Sequence, residues 1–525
     1  MSITEVSAVP RPGVGQASSL SVFKTIPTTA TSTCTSTSTT TMTSTATRTV
    51  TSRTQTPFFN GGDVGHELLE INGTHKPVVA VVGGGITGLT AAYHLQSVAN
   101  VHLFEQSDRW GGKIRTVRQD GFVVEAGADS WVGAKPWGAL LCQQLGLAEE
   151  VIGTRAGLRR VYALRNGKLV ALPEGMSLLA PARWMPFLTS PFFSPKARLR
   201  ISAEIFIRRR RESGDESLAS FVRRRFGNEA LAALGEPLLG GIFMSDPEIL
   251  SLQSTFPQLA STEASQGSLI RAARAHRRAT APGGGSSVFL TLRQGMQQLV
   301  EACLEQTKAA QHLNAPIDSI ESVDDGFAIT FQGRVVRVHT VVLAVPARQA
   351  ALLLQRTSPL AAAGLDALET VSSATVSLVF RRTDVSHSLD GNGVIIAALE
   401  RRKVTSISWT SSKFEGRAPE EFVLLRTFAG GYRDPQIDLR SDVQLLSESI
   451  GEVRALLGIT ADPVRHWIFR WPAANPVYRV GHNERIDQIE RNLAPGILLA
   501  GSPYRGIGIA DCIHQGMQVA SRQLS

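Results

Sequence analysis

The stretch Val78-Val79-Ala80-Val81-Val82-Gly83-Gly84-Gly85-Ile86-Thr87-Gly88-Leu89-Thr90-Ala91-Ala92-Tyr93-His94-Leu95 decides the fold. Its first five residues are apolar and largely β-branched, which predicts a buried strand. Its last seven have helix-forming character. Glycines stand at the G-x-G-x-x-G positions Gly83, Gly85 and Gly88, with Gly84 between them. The first permits a tight turn, the second lets backbone approach a pyrophosphate, and the third lets helix and strand pack closely. The helix N-terminus then offers unpaired N–H groups to phosphate oxygens. A second apolar run, Val101-His102-Leu103-Phe104, ends in Glu105, where an acid meets ribose hydroxyls. Strand, glycine turn, helix, strand and acid together predict a dinucleotide site.

Past Glu105 come Gln106-Ser107-Asp108-Arg109-Trp110-Gly111-Gly112-Lys113-Ile114. A basic residue and a glycine pair just beyond the second strand resemble the flavin-linked amine oxidase and porphyrinogen oxidase superfamily, whose members bind FAD. The resemblance implies that Arg109 and the Gly111-Gly112 turn lie along the ADP half of FAD and approach the flavin. The fold class it implies is α/β, with a Rossmann-type FAD-binding domain interleaved with a mixed α+β substrate domain and a helical insertion.

The 525 residues suffice for two or three domains with their own cores. Cys34, Cys142, Cys303 and Cys512 are scattered, without metal-ligand spacing. That usage suits a reducing compartment and argues against a disulfide framework. No run of about 18 uncharged apolar residues occurs, so no membrane-spanning helix is expected.

Residues 1–76 differ from the rest. Between Thr28 and Thr56, 21 of 29 residues are Ser or Thr, and Glu5 is the only acid before Gly62. Such a segment cannot bury a core and is expected to be disordered. A Ser-rich, acid-poor leader also fits an organellar transit peptide. A disordered tail or a misassigned start fits equally, and the remainder suits a cytoplasmic protein that is peripheral on the inner membrane.

The chain carries a formal charge of +9, while Arg155–Arg225 alone holds 16 Lys/Arg against 5 Asp/Glu. That segment is therefore +11 and the rest sums to −2. The basic balance belongs to one region and is not a nucleic-acid signature, because no recognised module frames it. Within it, Trp184, Phe187, Phe192 and Phe193 precede Lys196, Arg198, Arg200 and the run Arg208–Arg211. Aromatic and aliphatic groups beside cations suit an anionic membrane surface. They equally suit a core helix with a solvated basic face.

Later segments supply further strands. Gly326–Phe331 and Val335–Val338 alternate around Gln332-Gly333 like a hairpin, and Thr340–Pro346 and Ile497–Gly501 read as buried parallel strands. The expected organisation is an FAD domain from 77–140, 285–350 and 482–525. Residues 141–284 form the insertion, helical over about 155–275, and 351–481 form the substrate domain. The latter opens with a helix near Pro359–Leu368 and continues with strands at Thr375–Phe380 and Phe422–Arg426. Ala281–Ser287 reads as a linker.

Further stretches narrow the resemblance to the oxygen-dependent protoporphyrinogen/coproporphyrinogen oxidases of haem synthesis. They are Gly121–Ser130, Leu238–Ser251 with its Gly240-Gly241 pair, Leu292–Leu299, Trp471–His482 and Tyr504–Ile513. With the dinucleotide motif, the resemblance covers nearly all of 77–525. It implies cofactor contacts at Gly127, Ala128, Tyr504, Gly508 and Ile509. One departure stands out: Gly501-Ser502-Pro503 follows the last strand where the family commonly has Gly-Asn or Gly-Asp.

The activity so implied is a six-electron oxidation of a porphyrinogen, with O2 as acceptor and H2O2 as by-product. No Ser-His-Asp or metal constellation is needed, and none is found. His276, His466, His482 and His514 read as isolated. A macrocycle bearing propionates needs a cation, and the family places an arginine before the strand that leads to a Leu-Pro turn. Arg160, upstream of Leu172-Pro173, matches best, with Arg159 one residue away as the other choice. Val394 is a weaker candidate for the pocket wall. The expected partners are the porphyrinogen, O2, an anionic membrane surface and the next haem-pathway enzyme, with no nucleic acid. The alternatives are a flavin amine oxidase or carotenoid desaturase, and a non-enzymatic escort or dissociation-inhibitor-like protein. The intact glycines and Glu105 weigh against the last.

Overall fold

The computed structural model describes residues 76–158, 160–212, 214–279 and 287–523. The Ser/Thr-rich extension before residue 76, residues 280–286 of the linker and Arg159 lie outside the described residues. Strand β1 (Val78–Val82), helix α1 (Ile86–Leu95) and strand β2 (Asn100–Phe104) form where the opening motif predicts them. β1 is the centre of a five-stranded parallel sheet, ordered Ala310–His312, β2, β1, Thr340–Leu343, Ile497–Leu499. The sheet is covered on both faces, which is why its strands are apolar without alternation. Val79 and Val81 face α1, the helix Gln297–Gln306 and the C-terminal helix Ile509–Gln523. Ala80 and Val82 face the antiparallel meander of residues 319–338 and the helices Ala347–Leu354 and Pro359–Asp366. Those two helices therefore pack on the parallel sheet, although the expected boundary at 351 places them with the substrate domain.

A seven-stranded mixed sheet forms the second body of structure. Its order is Arg465–Pro476, Thr370–Arg381, Phe422–Gly430, Ser406–Ser408, Gly391–Ile396, Arg160–Arg165, Lys168–Ala171. The start of the expected helical insertion is thus sheet. Arg160–Arg165 and Lys168–Ala171 form a hairpin around Asn166-Gly167, both at positive φ, as such a tight turn requires. Helices follow from Trp184 onward. Their core holds Phe187, Phe192, Phe193 and Ile201, so three aromatics expected at a membrane surface are interior. Much of the segment's charge is also internal. Arg225 is fully buried between Glu204 and Glu263, and Arg224 pairs with Glu216 and Glu263. Arg200 caps the helix Leu218–Phe226 by donating to the carbonyls of Arg224 and Arg225. Met185, Leu188, Leu199 and Phe206 remain exposed on this body. Among the described residues, no helix is long and apolar enough to cross a membrane.

The insertion and the large sheet are tied at Glu236. This residue lies on a π-helical stretch, Leu231–Gly240, interrupted by Pro237. Its carboxylate accepts from the Tyr432 hydroxyl, the Arg433 guanidinium and the Ala398 N–H.

Candidate functional site

The glycine turn separates into three local problems. Gly83 has φ +112°, and a Cβ there would lie 2.5 Å from the Ala344 carbonyl oxygen. At Gly88 a Cβ would lie 1.9 Å from the Gly83 oxygen, so the helix can approach the strand only without one. Gly85 is different: a Cβ there meets nothing within 4 Å. The protein packs around the first and last glycines and leaves open space at the middle one. Gly85 is also the N-cap of α1, and no side chain caps that helix end. An open backbone strip at an uncapped helix N-terminus is a cradle suited to a pyrophosphate.

Glu105 lies beside this turn. Its carboxylate accepts from the Gly84 N–H at 2.8 Å and from the N–H and hydroxyl of Ser107. Arg109 folds back onto its own loop, donating to the carbonyls of Trp110, Gly112 and Ile114. It therefore shapes the Gly111-Gly112 turn, where φ is +105° and +55°. Gly111 in turn donates to the Gly84 carbonyl at 2.8 Å. A Cβ on Gly112 would lie 3.2 Å from the Gly85 Cα. Gly83, Gly84, Gly85, Gly88, Glu105, Arg109, Gly111 and Gly112 thus form one contiguous surface.

Gly127 and Ala128 line the next strip. A Cβ on Gly127 would sit 1.9 Å from the Lys113 carbonyl oxygen and 3.1 Å from the Trp471 ring. The Ala126 carbonyl below accepts from Trp471 Nε1, the Arg426 guanidinium and the Thr375 hydroxyl. Arg426 also donates to the Gly127 carbonyl at 2.6 Å. A buried ionic layer supports this turn. Burial alone would raise the Asp129 carboxyl, but Lys413, Arg426 and the Ser130 hydroxyl overcome it and hold it at about 2. Burial pushes Glu125 up to about 7, although the Met296 N–H, Arg417 and Thr116 favour its charged form.

The third strip is the loop Gly501–Gly508 and the start of the C-terminal helix. Gly508 is exposed there. Tyr504 is not: its ring is 1% exposed in the core below the parallel sheet, and its hydroxyl has no partner. Ile509 is buried as well. Only the backbone of these two residues can face a ligand, because both side chains are buried in the core. Asp511, in the first turn of the helix, pairs with Lys135 at 2.6 Å.

Lys113 joins the strips. Its Nζ donates to the Ala474 carbonyl at 2.9 Å and to Ser502 Oγ at 2.8 Å. The residue is solvent-accessible yet flanked by protein, and burial lowers its pKa. Its ammonium therefore links the Gly-Gly turn to the Ala474 and Ser502 segments.

The candidate substrate residues lie on adjacent strands. Arg160 is 57% exposed and paired with Asp390 at 2.6 Å. Tyr162 donates to the other Asp390 oxygen at 2.7 Å. Val394 is 2% exposed, in a core with Leu164, Ile407 and Trp409. It lines no open wall here, because its side chain packs into that core on one face of the sheet. His482, read as isolated, is a buried histidine whose Nε2 bonds the Tyr504 carbonyl at 2.8 Å, while its Nδ1 has no hydrogen-bond partner. Sequence reasoning missed Lys113, Lys135, Asp511 and Arg426. Lys113 could have been found from its place next to the Gly-Gly pair; Arg426 carries no local signal.

The flavin-containing amine oxidoreductase family model matches residues 86–524. The coproporphyrinogen III oxidase of Propionibacterium freudenreichii subsp. freudenreichii is 35% identical, over 88% of this chain and 92% of its own. The coproporphyrinogen III oxidase of Staphylococcus aureus is 31% identical, over 85% and 99%. Protoporphyrinogen oxidase 2 of Arabidopsis thaliana is 26% identical, over 89% and 97%. A solved structure from Exiguobacterium sp. 255-15 that carries the protoporphyrinogen oxidase name superposes with TM-score 0.76 at 28% identity, over 86% and 99%.

Proposed function

The chain belongs to the flavin-containing amine oxidoreductase family, and from that premise we propose that it oxidises a porphyrinogen to the porphyrin in haem biosynthesis, with coproporphyrinogen III as the preferred substrate. Its cofactor is FAD. The observation that carries the reading is the continuous strip of backbone from Gly83 to Gly112, Gly127–Ala128 and Gly501–Gly508, open at Gly85 and backed by buried charge. Relatives at 31–35% identity bear the coproporphyrinogen name, which supports the choice between the two substrates.

In this reading Gly83, Gly84, Gly85 and Gly88 receive the pyrophosphate, and Glu105 accepts from ribose hydroxyls. Arg109 shapes the Gly111-Gly112 turn along the cofactor. The backbone of Gly127, Ala128, Tyr504, Gly508 and Ile509 borders the ring. Bound FAD supplies a two-electron acceptor that O2 restores. Six electrons leave each porphyrinogen, so three O2 become three H2O2. The chain's own residues bind, orient and exclude water. Lys113 puts positive charge beside these strips, and Lys135 is paired with Asp511. Arg160 meets a propionate by exchanging its Asp390 partner, and Val394 backs the strand beside it.

The parallel sheet serves the cofactor, and the seven-stranded sheet with the helices beyond Trp184 serves the substrate. An anionic lipid surface fits the exposed Met185, Leu188, Leu199 and Phe206 beside Lys196 and Arg198. Product would pass to the next enzyme of the pathway. The test is aerobic turnover of coproporphyrinogen III and protoporphyrinogen IX in parallel by the flavin-loaded protein.

A further inference from the structure

One short segment, Trp471–His482, touches both backbone strips that border the cofactor ring in the reading above, and the three side chains that make the contacts, Trp471, Tyr478 and His482, are buried. At one end, Trp471 Nε1 donates to the Ala126 carbonyl at 3.0 Å, and its ring packs against Gly127. At the other end, the Tyr478 hydroxyl donates to the Ser502 carbonyl at 2.7 Å and accepts from the Gly506 N–H at 2.8 Å. A single oxygen therefore spans the loop Ser502–Gly506. His482 stacks on Tyr478, with ring centroids 3.9 Å apart, and bonds the Tyr504 carbonyl between those two points. A carbonyl only accepts, so His482 Nε2 carries the proton. Trp471, Tyr478 and His482 are 6%, 0% and 1% exposed.

The segment is itself anchored. The Ser251 N–H donates to the Tyr478 carbonyl at 2.7 Å, and the Val480 N–H to the Ile249 carbonyl at 3.0 Å. These residues close the glycine-pair motif of the insertion. The segment thus meets the substrate half at Ile249–Ser251 and the cofactor strips at Ala126–Gly127 and Ser502–Gly506. Burial also keeps the Tyr478 hydroxyl protonated by raising its pKa.

We propose that Trp471 and Tyr478 are positioning residues that act as a two-point clamp, fixing the distance between the Ala126–Ala128 turn and the Gly501–Gly508 loop so that the flavin ring is held in register with the substrate half. Neither side chain touches substrate or the reacting atoms. The proposal rests on the reading that FAD lies between these strips. A clamp has a thermodynamic signature that two separate structural bonds lack. Once one end is released, the other contributes little to holding the ring, so the effects are not independent.

The experiment titrates apo-protein with FAD for wild type, Tyr478→Phe, Trp471→Phe and the double variant. It also records the visible spectrum and two-electron reduction potential of the bound flavin, and apo-protein melting. Tyr478→Phe removes two hydrogen bonds with little change of shape, and Trp471→Phe removes one hydrogen bond together with part of the buried indole ring. Each is expected to weaken FAD about five- to tenfold, the net worth of a hydrogen bond. The double variant should fall short of the product of the two. The potential and the shape of the flavin band should move in both singles, and kcat should fall with the substrate KM unchanged. Trp471→Phe removes one of three donors to Ala126 and carries the test alone if Tyr478→Phe does not fold. Lower melting temperatures with wild-type FAD affinity and potential would overturn the proposal, as would strictly multiplicative losses. Failure of the wild type to bind FAD would instead overturn the reading on which it rests.

Discussion

Lys113 donates its ammonium to Ser502 Oγ at 2.8 Å, linking the Gly-Gly turn to the loop after the last strand. The contact falls at the departure Gly501-Ser502-Pro503. The family's usual acid or amide at this place is replaced by a hydroxyl that accepts from Lys113. The ammonium also holds Ala474, so one cation ties three parts of the site. Lys113→Met should weaken FAD by roughly tenfold or more, the cost of losing a hydrogen-bonded charge. Ser502→Ala should cost less, because the Ala474 contact survives. Fluorescence titration of the apo-protein checks both, and equal losses would show that Ser502 acts on its own.

The three motif glycines should fail in different ways. Gly88→Ala puts a Cβ 1.9 Å from the Gly83 oxygen, and the protein should not fold. Gly85→Val meets open space in the chain itself, and its φ of −74° suits a side chain. That variant should fold and lack flavin. Circular dichroism and the flavin absorbance of the purified proteins decide the matter. A stoichiometrically yellow Gly85→Val protein would refute the cradle.

Glu125 should set a pH dependence of stability. Its folded pKa of about 7 lies above the ordinary 4.5, so the folded state holds the proton more tightly than the unfolded state. Its contribution is fully present below pH 4.5 and is lost as pH rises through 7. The loss is on the order of 3 kcal/mol across that window. Glu125→Gln mimics the protonated form. It should melt above the wild type at pH 8 and show a flatter dependence from pH 5 to 8. Parallel melting curves for the two proteins would assign the dependence to other groups.

Arg160 in its ion pair with Asp390 is mostly exposed, which limits its effect. Arg160→Ala should raise KM about two- to fivefold, as expected for a solvent-screened charge pair, with the flavin spectrum unchanged. Asp390→Ala should lower KM by freeing the guanidinium for a propionate. If neither substitution moves KM, the propionate anchor lies elsewhere.

The nucleotide half was legible because its signals are local. Strand, turn, helix and acid fall within 28 residues, from Val78 to Glu105. The strand Arg160–Arg165 was absorbed into a helical insertion because its partner, Gly391–Ile396, lies more than 200 residues away. The net charge of the segment is incomplete for a related reason: Glu263, which pairs with Arg224 and Arg225, lies outside residues 155–225. The motif at Trp471–His482 was visible in the sequence. Its purpose was not, because Trp471 meets Ala126 across 345 positions.

The most direct measurement is aerobic turnover by the flavin-loaded protein, followed by porphyrin fluorescence and O2 consumption together. The account predicts that coproporphyrinogen III is converted faster than protoporphyrinogen IX, with about three O2 consumed per porphyrin formed. A yellow, folded protein that oxidises neither porphyrinogen above the uncatalysed rate would contradict it.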